Sequence, residues 1–169
     1  MMLHYLFVFA SLCGVFHIGN SQENVAAGIR ATQSTTYKRF ANANNAIDGN
    51  KDTEFRHSSC SSTYRENQPW WRVDLQRHYR VFVVRITNRN KRGGRLNGAE
   101  IRIGDSLENN GNSNTLCAKI TSIRCGETVE FFCQPSQGVH GRYVNIFHPS
   151  NRAILTLCEV EVYGFHDPH

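Results

Sequence analysis

The chain has 169 residues, 40% of them hydrophobic, and a formal net charge of +5. That is enough chain for one ordinary domain with a real core. The basic excess is modest and has no aromatics interleaved through it, which excludes a typical nucleic-acid binder.

In chain order, the first 21 residues differ in kind from the rest. Leu3 to Ile18 is mostly apolar, with bulk from Tyr5, Leu6, Phe7, Val8, Phe9 and Leu12, and it runs into the small residues Gly19-Asn20-Ser21. Such a run is too short for a comfortable membrane span and about right for a secretory h-region, although no Lys or Arg precedes it. Residues 1–21 are expected to be a signal peptide cleaved before Gln22, with residues 22–169 forming a single secreted domain. No second apolar run offers a membrane span.

Secretion changes the meaning of the cysteines. Cys13 would leave with the signal, so Cys60, Cys117, Cys125, Cys133 and Cys158 remain. In an oxidising compartment these are bridge candidates, and no Cys-x-x-Cys spacing argues for zinc. Five is odd: one thiol is free or bonded to another chain, which leaves a homo-oligomer open.

The mature chain reads as β throughout. Asn24 to Thr32 is an opening segment, followed by a polar loop from Gln33 to Asn44. Next comes Asn45-Ala-Ile-Asp-Gly-Asn-Lys-Asp-Thr-Glu-Phe-Arg-His-Ser-Ser-Cys60, which gathers the oxygen donors Asn45, Asp48, Asn50 and Ser59 around and after Gly49. Asx side chains flanking a glycine make a tight, self-bonded turn, and a plain loop is one reading. The other is a calcium loop, because a hard cation takes roughly six to eight oxygens. Only Asp48 is a carboxylate within the turn, so a second acid from elsewhere would be needed, and Cys60 offers a tether to bring one.

Beyond Cys60, aromatic bulk alternates with charge in Pro69-Trp70-Trp71-Arg72-Val73-Asp74-Leu75, and Tyr79 to Thr87 is a Val/Ile-rich core strand. Ala99 to Ile103 alternates apolar and charged positions, whereas Ser106 to Asn114 is a connection with no period. Thr128 to Cys133, Arg142 to Phe147 and Leu155 to Tyr163 are further strands. In the last, Cys158, Val160 and Val162 face one way, and Glu159 and Glu161 the other. No segment keeps a helical period over three turns, so the expected fold is all-β, a β-sandwich or jelly roll. Arg85, Arg89, Lys91, Arg92 and Arg95 lie close together with no acid until Glu100. They form either a solvated loop or a site for an anionic or polar ligand, since guanidinium forks suit carboxylate, sulfate or hydroxyl groups.

The runs Asn45-Ala-Ile-Asp-Gly-Asn50, Ser59-Cys60, Pro69 to Leu75, Thr87-Asn-Arg89, Gly98-Ala-Glu-Ile101, Gly141-Arg-Tyr-Val144 and Leu157-Cys-Glu-Val-Glu-Val162 together resemble the F-type lectins, or fucolectins, which are fucose-binding discoidin-like jelly rolls. The resemblance spans about Glu23 to Tyr163. It implies a structural Ca2+ held at Asn45, Asp48, Asn50 and Ser59, by the backbone of Cys158 and by the side chain of Glu159. It also implies disulfides Cys60–Cys158 and Cys117–Cys133. Cys125 is then the odd thiol, expected buried and inert because free Cys is among the most buried residue types; an intermolecular bridge is the alternative.

The sugar-binding pattern departs from the family. The family's histidine position is Ser62, its first arginine is Arg89, its aspartate position is Lys91 and its last basic residue is Arg95. Arg92-Gly93-Gly94 stands where vicinal cysteines would be. Phe55 matches a position near the fucose methyl group, although a core role is equally open. His57 could lend an imidazole from the same loop or simply face solvent. Two functions follow. One is a secreted, calcium-stabilised lectin for fucosylated or related glycans in innate recognition. The other is the same fold with a retuned site whose basic loop takes acidic ligands, either sulfated or sialylated glycans or anionic headgroups. An enzyme is not expected, for the chain has no Gly-x-Ser-x-Gly elbow, His-Glu-x-x-His, phosphate loop or separated carboxylate pair.

Overall fold

The computed structural model describes residues 23–134 and 137–167. The expected signal peptide lies outside the described residues. Eleven strands follow in order: β1 (Ala31–Gln33), β2 (Ser61–Ser62), β3 (Glu66–Asn67), β4 (Trp70–Thr87), β5 (Glu100–Gly104), β6 (Thr115–Lys119), β7 (Thr128–Phe132), β8 (Val139–Phe147), β9 (Asn151–Ala153), β10 (Thr156–Leu157) and β11 (Glu159–His166). Only short 3-10 turns interrupt them among the described residues. The result is an antiparallel β-sandwich of the jelly-roll kind.

β4 belongs to both layers. Its first half lies between β1 and β8, with Trp71 opposite Gln33 and Ile146. Its second half lies between β11 and β7, with Val84 opposite Val162 and Phe131. The register slips between Asp74 and Tyr79, where Gln76 has φ +65 and its N–H is bonded by Asp74 Oδ1 at 2.8 Å. This bulge bends the strand. It also explains why the sequence reads as two segments, Pro69–Leu75 and Tyr79–Thr87, where the structure has one strand.

The two-residue alternation sends Trp71, Val73 and Leu75 inward from the first half of β4 and Val84 and Ile86 from the second. They share one core with Ile101, Ile103, Val144, Ile146, Val160 and Val162. Trp71 is fully buried, and its indole N–H donates to Ala43 O at 2.9 Å, so its one polar group is satisfied.

Two expectations need correcting. The opening segment is mostly a turn, since only Ala31–Gln33 pairs as a strand and Asn24 makes an isolated bridge to Tyr163. The expected strand Leu155 to Tyr163 is broken at Cys158, so that β10 pairs β2 whereas β11 pairs β4.

The cystines are Cys60–Cys158 and Cys117–Cys133, spanning 98 and 16 residues. Loop-closure entropy gives about 3 kcal/mol for the short span and about 4–5 kcal/mol for the long one. Replacing Cys60 and Cys158 by Ser should therefore lower the denaturant-extrapolated stability more than replacing Cys117 and Cys133, by about 1–2 kcal/mol.

Candidate functional site

Residues 48–56 have no regular ladder, and their backbone is organised by their own side chains. Asp48 Oδ1 accepts from Asn50 N–H, Asn50 Oδ1 from Asp52 N–H, Asp52 Oδ1 from Glu54 N–H and Glu54 Oε1 from Arg56 N–H, at 2.9–3.2 Å. Gly49 sits at φ +82, where a side chain would be strained. Asn45 Nδ2 donates to Ser58 O at 2.7 Å, buried Ser59 Oγ donates to Glu54 O at 2.9 Å, and Glu159 Oε1 accepts from Gly49 N–H at 3.3 Å. The Cys60–Cys158 cystine and the Gly49–Glu159 bond bring the start of β11 beside this run.

The residues present fit the calcium ion expected there. Glu159 is 1% exposed, and its Oε2 is buried with no hydrogen-bond partner. Burial is the chief reason its carboxyl is pushed up to about 7; nearby Asp48 and Glu161 push the same way, and Gly49 N–H and Lys51 pull back. Lys51 does not neutralise it directly, for its ammonium pairs with Glu161 at 3.0 Å. A buried carboxylate oxygen without a partner, in a run of Asx and Ser oxygens, suits a hard cation better than zinc.

A second feature opens beside this corner. A cavity of about 310 Å3 has an aromatic wall of Tyr37, Phe40 and Phe55, a cationic wall of Arg89, Arg92 and Arg95, and a polar floor that includes Ser62. Arg89 stacks its guanidinium over the Phe55 ring at 4.5 Å, and its Nε–H is buried with no acceptor. Burial above all, then the charges of Arg92 and Arg56, draw its pKa below the ordinary arginine value, with Glu54 opposing. Arg95 donates to Thr156 Oγ1 at 3.1 Å, which in turn bonds Ser62 Oγ at 3.1 Å.

The loop bearing these arginines hangs on Asn88. Its side chain is 1% exposed and donates to Ile123 O at 2.8 Å and Gly93 O at 3.2 Å, and its Oδ1 accepts from Arg89 N–H. Gly93 must be glycine, because a Cβ would meet Asn88 Nδ2 at 2.9 Å and Cys125 Sγ at 3.0 Å. Asn90 fastens the same loop to the Asx run, through Thr53 O and Glu54 Oε2.

Of the sequence-derived sugar-site residues, Arg89, Arg95, Ser62 and Phe55 line the cavity. Lys91 and His57 are not among its lining residues. Lys91 is exposed and acts on Glu54, so the like charges crowding Arg89 come from Arg92 and Arg56 instead. His57 Nδ1 is engaged with Asp52 Oδ2 at 2.7 Å. Cys125 is exposed, against the expectation of a buried thiol, because it sits in the turn before Gly126 rather than in a strand. Sequence reading missed Asn88, whose signal is an amide directly after an apolar strand, and Ile154, an apolar residue in a polar connection.

Residues 45–146 match the family described as NedA-like, galactose-binding domain. Fucolectin-3 of Anguilla japonica is 49% identical over 149 residues, covering 85% of this chain and 81% of that protein. The chain belongs to the F-type lectin, or fucolectin, family. Among solved structures, the serum F-lectin of the striped bass, Morone saxatilis, superposes with a TM-score of 0.82 at 51% identity over 87% of this chain. The F-type lectin described here spans about half (49%) of that bass chain. A fucose binding module from Streptococcus pneumoniae gives a TM-score of 0.69 at 28% identity, covering 85% of this chain and 96% of the module. Relatives of this lectin are carbohydrate-binding proteins rather than enzymes.

Two predictions follow from the site. Asn88→Ala strands buried carbonyls and should lower stability by about 1–3 kcal/mol in urea melts, with the arginine loop loosened in hydrogen exchange. In chelator, the folded state holds the Glu159 proton more tightly than the unfolded chain, whose carboxyl titrates near 4.5. That contribution is fully present below 4.5 and is lost as pH rises through about 7. The melting temperature should therefore fall between about pH 5 and about pH 8, and Glu159→Gln should flatten the decline.

Proposed function

We propose that this chain is a secreted, calcium-stabilised lectin whose cavity at Arg89 and Arg95 receives one sugar of a glycan, in the first instance a fucosyl residue. The observation that carries this reading is the buried, acceptor-less Nε–H of Arg89 at a sugar-sized cavity whose lining also holds Tyr37, Phe40 and Phe55. An unpaired buried donor is costly, and a ligand oxygen relieves that cost. Tyr37, Phe40 and Phe55 offer surface for the apolar edge of a deoxy sugar, while the guanidinium groups donate to its ring and hydroxyl oxygens. The names of the eel fucolectins and of the pneumococcal fucose binding module support the choice of fucose. The two cystines suit an oxidising, extracellular setting, and innate recognition of microbial glycans is the role that completes the reading.

Calcium would be held by Asn45, Asp48, Asn50, Ser59, the Cys158 backbone and Glu159, and its charge would offset that of the buried Glu159 carboxylate. An ion that binds only the folded state adds to stability by mass action. Asp48→Ala should therefore lower the melting temperature in calcium and leave a protein that chelator no longer destabilises.

Arg89→Met keeps a stem over Phe55 and removes the donors. It should abolish fucose binding by calorimetry, about a hundredfold or more, while leaving the melting temperature level or raised, because a desolvated and repelled cation is gone. Unfolding of this variant, or undiminished binding, would refute the assignment.

A further inference from the structure

A second cavity, of about 500 Å3, adjoins the first and shares Arg92, Arg95 and Ile154 with it. Arg65 and Arg152 are among its other lining residues, and no carboxylate lines it. Several arginines elsewhere on the sandwich are paired: Arg80 with Asp167, Arg85 with Glu130, Arg102 with Glu100 and Arg142 with Asp74. Among the described residues, none of Arg65, Arg92, Arg95 and Arg152 has a carboxylate at ion-pair distance.

This shallow, open cavity gathers four arginines. Arg65 Nη1 donates to Arg152 O at 3.2 Å, and Arg95 is anchored on Thr156, so two guanidinium groups are held and still keep N–H groups to offer. Arg92 and Arg152 both sit in the left-handed region, at φ +60 and +75, which non-glycine residues seldom adopt outside constrained sites. His148, also in the lining, spends both ring nitrogens on Asn97 O and Ser150 N–H, so the guanidinium groups carry the site's charge-bearing donors. Burial itself, then crowding by Arg89, Arg92 and Arg65, depresses the Arg95 pKa.

We propose that this second cavity is an oxyanion subsite that takes a sulfate ester or carboxylate on the sugar next to the one seated in the first cavity. The proposal rests on the lectin reading above. A glycan with one residue in the first cavity continues past the shared Arg92 and Arg95, which brings its neighbour to Arg65 and Arg152. Forked guanidinium groups match both oxyanions in geometry and charge.

The test is calorimetry with a neutral fucosylated oligosaccharide, its sulfated and sialylated counterparts, and a sulfated sugar without fucose, at about 0.02 M and about 0.3 M salt. At low salt the acidic fucosylated ligands should bind about tenfold more tightly than the neutral one, as even one charge-assisted hydrogen bond would give, and the advantage should shrink at high salt. The stronger of the two acidic arms tells sulfate from carboxylate. Arg65→Gln/Arg152→Gln should erase the advantage and leave neutral binding and melting temperature unchanged. Equal affinity for neutral and acidic ligands overturns the subsite and leaves the lectin reading standing. An advantage that survives in the double variant, or a sulfated sugar that binds as well without fucose, also overturns it. If no glycan binds, the lectin reading and the subsite fall together.

Discussion

The cystine between Cys60 and Cys158 fixes more of this molecule than its two residues suggest. Immediately after Cys60 comes β2, and immediately before Cys158 comes β10, and these strands pair Ser61 with Leu157 and Ser62 with Thr156. The bond therefore closes one end of a very short ladder that hydrogen bonds alone would hold weakly. On one side of it, Glu159 leaves the strand toward the Asx run; on the other, Ser62 and Thr156 form part of the floor on which Arg95 rests. The Asx corner and the arginine-lined cavity are thus two faces of one covalent clamp.

That clamp permits an arrangement of charge that would otherwise disperse. Arg89, Arg92 and Arg95 face one cavity with mutual repulsion and no ion pair among the described residues, whereas Arg85, Arg102 and Arg142 on the strands are paired with carboxylates. Rigid anchoring keeps the donors aimed without partners: Asn88 grips three backbone groups of the loop and its surroundings, and Gly93 lets the loop pass within reach of Cys125. Preorganised donors lose little on binding, because their ordering cost is already met by folding.

The architecture was legible in the sequence because period-two alternation marks strands wherever one face is buried, as in Trp71, Val73 and Leu75. Boundaries were less so. The bulge between Asp74 and Tyr79 interrupts the pattern without ending the strand, and the break at Cys158 leaves the alternation intact while changing the pairing partner. At the site, arginine positions followed from the family resemblance, but side-chain direction did not. Lys91 and His57 sit close in sequence to cavity residues yet do not line the cavity, since one residue's difference along an irregular loop re-aims a side chain completely. Arg65, Ile154 and Arg152 were invisible for the opposite reason: they come from distant connections that only the fold brings beside Arg92.

The two halves of the site are also joined by the stretch between them. From Asp48 to Arg56 each carboxylate or amide caps the N–H two residues on, so the segment behaves as a chain of local bonds with no lateral ladder to stiffen it. Such a segment takes its position from its contacts with the rest of the fold, Lys51 with Glu161 and Thr53 with Asn90 in its middle among them. At one end Gly49 N–H is held by Glu159; at the other Glu54 is held by Asn90 and Phe55 lies beneath Arg89. The run thus ties the Glu159 corner to the aromatic side of the cavity.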